Sequence, residues 1–161
     1  MADQPQIILG EFRRTLDERY RLSLPAELLE LMPNVEQCVL VKERSGCLSL
    51  WDSARWQKKL QVRMRLIEEK IQAEMFAEDR VGQVQLLGRL LSTRHRDVAL
   101  SGRGRLLIPE GFREFLGVEP GGEVLVVGAA LCVEIWRPDA WIQYVERRMP
   151  KFRRLFEKLA Q

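Results

Sequence analysis

The chain is poor in several residue types that enzymes and secreted proteins rely on. It has three cysteines in 161 residues, at positions 38, 47 and 132, with no CxxC spacing. An odd count without paired spacing argues against a disulfide framework or a zinc site and leaves buried apolar thiols as the plainer reading. There is one histidine, His95, which removes most histidine-dependent catalytic and metal schemes; a solvated surface side chain is its default reading. No apolar run approaches the roughly 18 residues needed to span a bilayer. The stretch from Met1 to Leu9 has neither a charged leader nor a long apolar segment, so no secretory signal is expected and the cytoplasm is the expected compartment. No G-x-x-x-x-G-K-[ST] loop occurs, which counts against nucleotide hydrolysis. No nucleophile–base pair or carboxylate cluster stands out, so the chain is expected not to be an enzyme and to need no cofactor.

What is present is arginine and an apolar core. Apolar residues make up 46% of the chain, enough to bury a core in one or two small domains. Net charge is only +3, but 20 of the 26 cations are arginine. Guanidinium forks suit phosphates and guanine edges better than ammonium groups do. Free arginine usage in a GC-rich genome would give the same composition, so composition alone decides nothing.

An internal repeat organises the sequence. Leu16-Asp-Glu-Arg-Tyr-Arg-Leu-Ser-Leu-Pro25 aligns with Leu100-Ser-Gly-Arg-Gly-Arg-Leu-Leu-Ile-Pro109, 84 residues later. Leu16, Arg19, Arg21, Leu22 and Pro25 have identical partners. With a slip of one residue, Val39-Leu-Val41 then matches Val124-Leu-Val126, Cys47 matches Cys132, Trp51 matches Trp136 and Trp56 matches Trp141. Each half reads strand, arginine loop, strand ending at proline, short helix, strand, turn, strand ending at tryptophan, helix. The expected elements include short strands over 21–24 and 105–108, helices over 26–31 and 110–116, and hairpins over 39–51 and 124–136. Trp56, Leu60, Met64, Ile67 and Ile71 fall on one helical stripe with Ser53 as candidate N-cap. A second helix is expected over 79–91, and Asp139 is a candidate cap for a helix carrying Trp141. Pro150 should interrupt that helix before an amphipathic basic segment, Lys151 to Leu159.

The strongest functional signal is the pair of loops Arg19-Tyr-Arg21 and Arg103-Gly-Arg105. Arginines two apart at the start of a strand share a face, and such pairs on a protruding element can bond phosphates and fork onto guanine. Arg13 and Arg14 precede the first loop; Arg94 and Arg96 precede the second. The rival reading is a solvated face with local ion pairs to Asp17, Glu18 or Asp97. Recurrence at matched positions favours the functional one. Gly102 and Gly104 permit left-handed geometry. Glu18 and Tyr20 stand at those places in the first copy, so that loop is expected to be shaped differently or strained. The paired tryptophans could stack on bases, but core packing is the better reading. The central stripe reads as core or interface. The basic segment Lys151–Lys158 could touch DNA, a membrane or a partner, or be a solvated helix face.

The pattern D-x-x-x-R-L-x-x-P from Asp17 to Pro25, G-R-x-x-I-P from Gly104 to Pro109, and Glu134-Ile-Trp136 before a Trp-led helix resembles the MraZ family of AbrB/SpoVT-like bacterial regulators. The resemblance covers about Leu9 to Tyr144. It implies an α+β fold in which two tandem AbrB-like swapped-hairpin modules form a double-ψ β-barrel with peripheral helices. The modules would span 7–52 and 93–138, with a helical connection over 53–92 and a helix and basic tail over 139–161. It implies sequence-specific binding to double-stranded DNA at promoter repeats of the division and cell wall gene cluster, a ring-shaped homo-oligomer, and a nucleoid-associated place in the cytoplasm. Neither a membrane nor a small-molecule substrate is expected as a partner. The family's D-x-x-G-R element falls on Asp17, Arg19, Tyr20 and Arg21, and again on Ser101, Arg103, Gly104 and Arg105. Tyr20 replaces a motif glycine and Ser101 a motif aspartate. Together with Arg13, Arg14, Arg94 and Arg96, these four loop arginines are the candidate DNA-binding set. Two other readings stay open: a ring-forming assembly protein that has lost DNA reading, and an AbrB-like antitoxin.

Overall fold

A computed structural model describes residues 6–73 and 78–161. Strands β1 (Glu11–Thr15) and β2 (Arg21–Ser23) flank the first arginine loop, and β5 (His95–Val98) and β6 (Arg105–Leu107) flank the second. Each half continues through a short helix, α1 (Ala26–Leu29) or α4 (Phe112–Leu116). A hairpin follows, β3–β4 (Cys38–Arg44, Cys47–Asp52) in the first half and β7–β8 (Glu123–Gly128, Val133–Trp136) in the second. Helix α2 (Ser53–Gln72) and helix α3 (Glu78–Arg94) connect the halves; α5 (Pro138–Arg148), one 3-10 turn (Met149–Lys151) and α6 (Phe152–Leu159) follow β8. Asp52 rather than Ser53 caps α2, accepting from the Arg55 amide at 3.0 Å.

The protein is a mixed α/β fold built on an open antiparallel sheet. Six strands run β1-β7-β8-β4-β3-β5, and β2 and β6 form a separate two-stranded ribbon. Among the described residues the ladder does not close into a barrel: β1 and β5 are its two edges. Exchanging the halves turns the six-strand order into its own reverse, so the sheet has a pseudo-twofold axis. The first strand of each half pairs with the other half's hairpin, β1 with β7 and β5 with β3. Two pairs link equivalent positions to each other: Leu22 with Leu106 in the ribbon and Ser49 with Glu134 in the sheet. The pseudo-dyad therefore passes through both.

Alternation along the strands sorts the side chains. Leu48, Leu50, Val133 and Ile135 join Leu22, Leu106, Leu28, Phe112 and Leu116 in the main core, between the sheet and a layer made of the ribbon, α1 and α4. Cys47, Trp51 and Trp136 face the other way, under α2 and α5. There the repeat closes on itself. Trp51 meets Trp56 at 5.9 Å with Cys132 beneath them, while Trp136 meets Trp141 at 5.2 Å over Cys47. Each half thus packs its cysteine under the other half's tryptophans. Trp51 donates to Ser49 Oγ and Trp136 to Glu134 Oε1, both at 2.9 Å, so these rings are structural anchors rather than base-stacking platforms.

Candidate nucleic-acid interface

The ribbon presents its arginines away from the core. Leu22 and Leu106 are fully buried, so their neighbours Arg21, Ser23, Arg105 and Leu107 occupy the outer face. Arg21 lies opposite Leu107 and Arg105 opposite Ser23. The two arginines are therefore diagonal neighbours across the pseudo-dyad, with backbones about 7–8 Å apart. Ser23 and Leu107 were not singled out from sequence, although period-two alternation from the arginines would have found them. Leu107 is 52% exposed, an apolar contact set between two cations.

The other candidate arginines are less concentrated. Arg19 and Arg103 are exposed but lie in turns outside the strands. The expectation that each RxR pair shares a strand face therefore does not carry over, because a left-handed residue separates the two arginines. The two turns sit at opposite ends of the antiparallel ribbon. Arg13 is exposed on the edge strand β1, 3.6 Å from the Glu123 carboxylate. Arg14 points to the opposite side of β1, over the Phe12 ring at 5.6 Å. Arg94 ends α3 and donates to the Lys42 carbonyl at 3.2 Å; Arg96 is exposed on β5, 5.9 Å from the Phe112 ring. Arg13, Arg14 and Arg96 thus lie on the strands that lead into the loops and Arg94 just before one, apart from the ribbon pair.

Both loops place a left-handed residue at the same position, Tyr20 at φ 59° and Gly104 at φ 87°. The Tyr20 carbonyl accepts from the Ile108 amide and the Gly104 carbonyl from the Leu24 amide, each at 2.9 Å. Substituting tyrosine for glycine therefore keeps the left-handed position and its hydrogen bond and stores strain, since αL costs a non-glycine residue about 1–2 kcal/mol; the loops differ two residues earlier, where Gly102 is left-handed and Glu18 is not. A second residue offsets this. Arg113 stacks on the Tyr20 ring at 4.2 Å and donates to the Ile108 carbonyl at 2.6 Å. Its equivalent in the other half is Leu29, which lies where a side chain on Gly104 would point. Arg113 was not anticipated from sequence; its match to Leu29 was the available signal.

The loops differ most in charge. Asp17 Oδ1 accepts the Arg19 and Arg21 amides, both at 2.8 Å, and Oδ2 accepts from Arg21 Nε at 3.1 Å. The Arg21 amide above all, with the Arg19 amide and the Arg21 guanidinium, holds this carboxyl below its ordinary value. In the second loop, the Ser101 carbonyl takes the Arg105 amide at 2.9 Å. Among the described residues no carboxylate pairs with Arg103 or Arg105.

His95 is only partly solvated. Its ring is half-buried, 5.6 Å from Trp56, and its Nδ1 is enclosed without a partner. The cysteines are buried; burial raises Cys38 to about 11 and pushes Cys47 and Cys132 higher still. Their thiolates are therefore out of reach at neutral pH.

The family model described as "MraZ protein, putative antitoxin-like" matches residues 7–79 and 92–159. A protein named transcriptional regulator MraZ from Heliobacterium modesticaldum is 28% identical over 95% of this chain and 96% of its own length. A namesake from Syntrophomonas wolfei is 27% identical over the same shares. Another, from Thermus thermophilus, is 27% identical over 88% of this chain and 90% of its own.

Proposed function

The chain belongs to the MraZ family, and from that premise we propose that it is a DNA-binding transcriptional regulator whose contact surface is the outer face of the β2–β6 ribbon. The observation that carries this is the placement of Arg21 and Arg105 as diagonal neighbours on one exposed face. A two-stranded ribbon fits a major groove. Two guanidiniums related by a pseudo-dyad address both strands of a duplex in equivalent ways. Arg19 and Arg103, at the ribbon's ends, reach the flanking phosphates, and Arg13, Arg14, Arg94 and Arg96 add positive charge around the ribbon that favours a polyanion. Leu107 offers an apolar contact for a thymine methyl.

The finer reading follows the family. The modules are 7–52 and 93–138, joined by 53–92 and followed by 139–161. Each lends its first strand to the other, in the manner of a swapped-hairpin double-ψ barrel. The chain acts on short promoter repeats of the division and cell wall gene cluster, in the nucleoid, as a ring-shaped homo-oligomer. A ring supplies by multivalency what +3 per chain supplies weakly. Val62, Leu66, Leu86 and Leu90, exposed on α2 and α3, are apolar surface available for subunit contacts.

Gel-shift titration against the DNA upstream of its own gene tests this. Arg21→Ala with Arg105→Ala should abolish binding while the oligomer's mass by light scattering is unchanged. Single variants should each weaken it roughly 5- to 150-fold, as expected for one lost bidentate base contact. Unchanged affinity in the double variant would sink the assignment. The second reading, an assembly protein without DNA reading, is favoured by the Asp17 clamp on Arg21. Absence of binding even at low salt would select it.

A further inference from the structure

Every residue from Glu146 to Gln161 is exposed, including all of α6. The helix is Phe-Arg-Arg-Leu-Phe-Glu-Lys-Leu, and it segregates its residues sharply. Phe152, Leu155, Phe156 and Leu159 stand at helical intervals of three and four on one side, each more than half exposed. Arg153 borders this stripe on one flank and Lys151 on the other, with Arg154 and Lys158 opposite. Between Glu146 and Gln161 six cations face two carboxylates. An isolated helix of eight residues is marginal in water. Nothing among the described residues covers this apolar stripe, so an external surface is the candidate for what stabilises it.

The occupant has to satisfy both faces. Duplex DNA takes the cations but leaves two phenylalanines and two leucines in water. A second copy of α6 takes the apolar stripe but sets three more cations, Arg153, Arg154 and Lys158, against one more carboxylate beside the first copy's own excess of positive charge. An anionic bilayer takes both, with the aromatic and leucine side chains among the acyl chains and the arginines and lysines at lipid phosphates.

We propose that α6, with Lys151 and the last turn of α5, is an interfacial membrane-binding helix that docks on anionic phospholipid. This reverses the expectation of no membrane partner, in one specific sense. No helix among the described residues is long and apolar enough to cross a bilayer, and the contact lies in the plane of the surface. It does not depend on the DNA-binding reading, because no ribbon residue takes part.

The test is co-sedimentation of the full-length protein with vesicles. Binding is expected to phosphatidylcholine vesicles containing phosphatidylglycerol, to weaken as salt rises, and to be absent with phosphatidylcholine alone. Phe152→Glu with Phe156→Glu should lower partition by on the order of tenfold or more, and Arg153→Glu with Arg154→Glu should lower it while keeping the apolar stripe. Both sites are exposed, and an unchanged thermal melt verifies folding. No binding at low salt, or equal binding to both vesicle types, overturns the proposal. So does a loss of oligomer mass in the Phe152/Phe156 variant without a change in vesicle partition, which assigns the stripe to a second copy.

Discussion

The two arginine loops are one design executed with different residues. They share a left-handed turn at the fourth residue, a reciprocal hydrogen bond from it to the other half's strand, and a place beside the pseudo-dyad, but they differ at the second residue, where Gly102 is left-handed and Glu18 is not. The first loop reaches that shape with Tyr20, held by Arg113, and with Asp17, which braces two amides and one guanidinium. The second reaches it with Gly104, adds a left-handed Gly102 that the first loop lacks, and, among the described residues, leaves its arginines without a carboxylate partner. Backbone geometry and arginine availability are thus separable. The first loop is preorganised and its inner arginine is partly neutralised; the second has a more permissive backbone and its arginines keep their full charge for a polyanion.

The largest effect should come from exchanging the way each loop reaches its shape. Gly104→Tyr places a side chain into Leu29 Cδ1 at a left-handed position. Strain of about 1–3 kcal/mol and overpacking of about 1–3 kcal/mol should together lower the melting temperature by many degrees. Adding Leu29→Arg copies the Tyr20–Arg113 pair and should restore much of that loss. A double variant no more stable than Gly104→Tyr alone would show that the two loops are not interchangeable.

Much of this comparison was legible in the sequence. The 84-residue repeat located both loops, the order of elements and the equivalence of Leu22 with Leu106. The replacement of glycine by Tyr20 marked strain. Three features were hidden. That Arg21 and Arg105 become neighbours follows from pairing between halves, and no local pattern encodes which half's strand a residue meets. Arg113 compensates for Tyr20 through space, 93 positions later. A lone His95 reads from sequence as a solvated side chain by default; its packing against Trp56 depends on how α2 crosses the sheet. The closed barrel expected from the resemblance is not what the ladder shows. The strands pair across halves, but β1 and β5 end the sheet unpaired with each other.

A smaller effect should come from exchanging charge. Binding that neutralises a phosphate contributes roughly −0.9 to the slope of log affinity against log salt. Arg21, already paired, should release fewer counterions than Arg105. Asp17→Ser should therefore steepen the slope by up to about one, and Ser101→Asp should flatten it by a similar amount. Affinity measured across a salt series for both variants checks this. Identical slopes would mean that DNA already displaces Asp17 from Arg21, removing the distinction between the loops in the bound state.

The smallest effect is the response to acid, and it isolates the brace. The Asp17 carboxyl is depressed in the folded chain, chiefly by the Arg21 amide. A depressed acid contributes stability that is fully present above its unfolded value of about 3.9 and is lost as pH falls through the lower folded value. The brace is therefore intact at neutral pH and weakens only in that acid window. Protonation removes charge from the acceptor of the Arg19 and Arg21 amides and ends the ion pair, whereas the Ser101 carbonyl that holds the Arg105 amide does not titrate. Amide exchange, corrected for the intrinsic pH dependence of the chemistry, should show protection of Arg21 falling with acid while Arg105 stays level. Because Asp17 is solvent-accessible, the change should be modest and should vanish in Asp17→Asn, whose side chain keeps an acceptor but has no charge to lose. Parallel behaviour of the two arginine amides through the window would place the difference between the loops elsewhere than in the carboxylate.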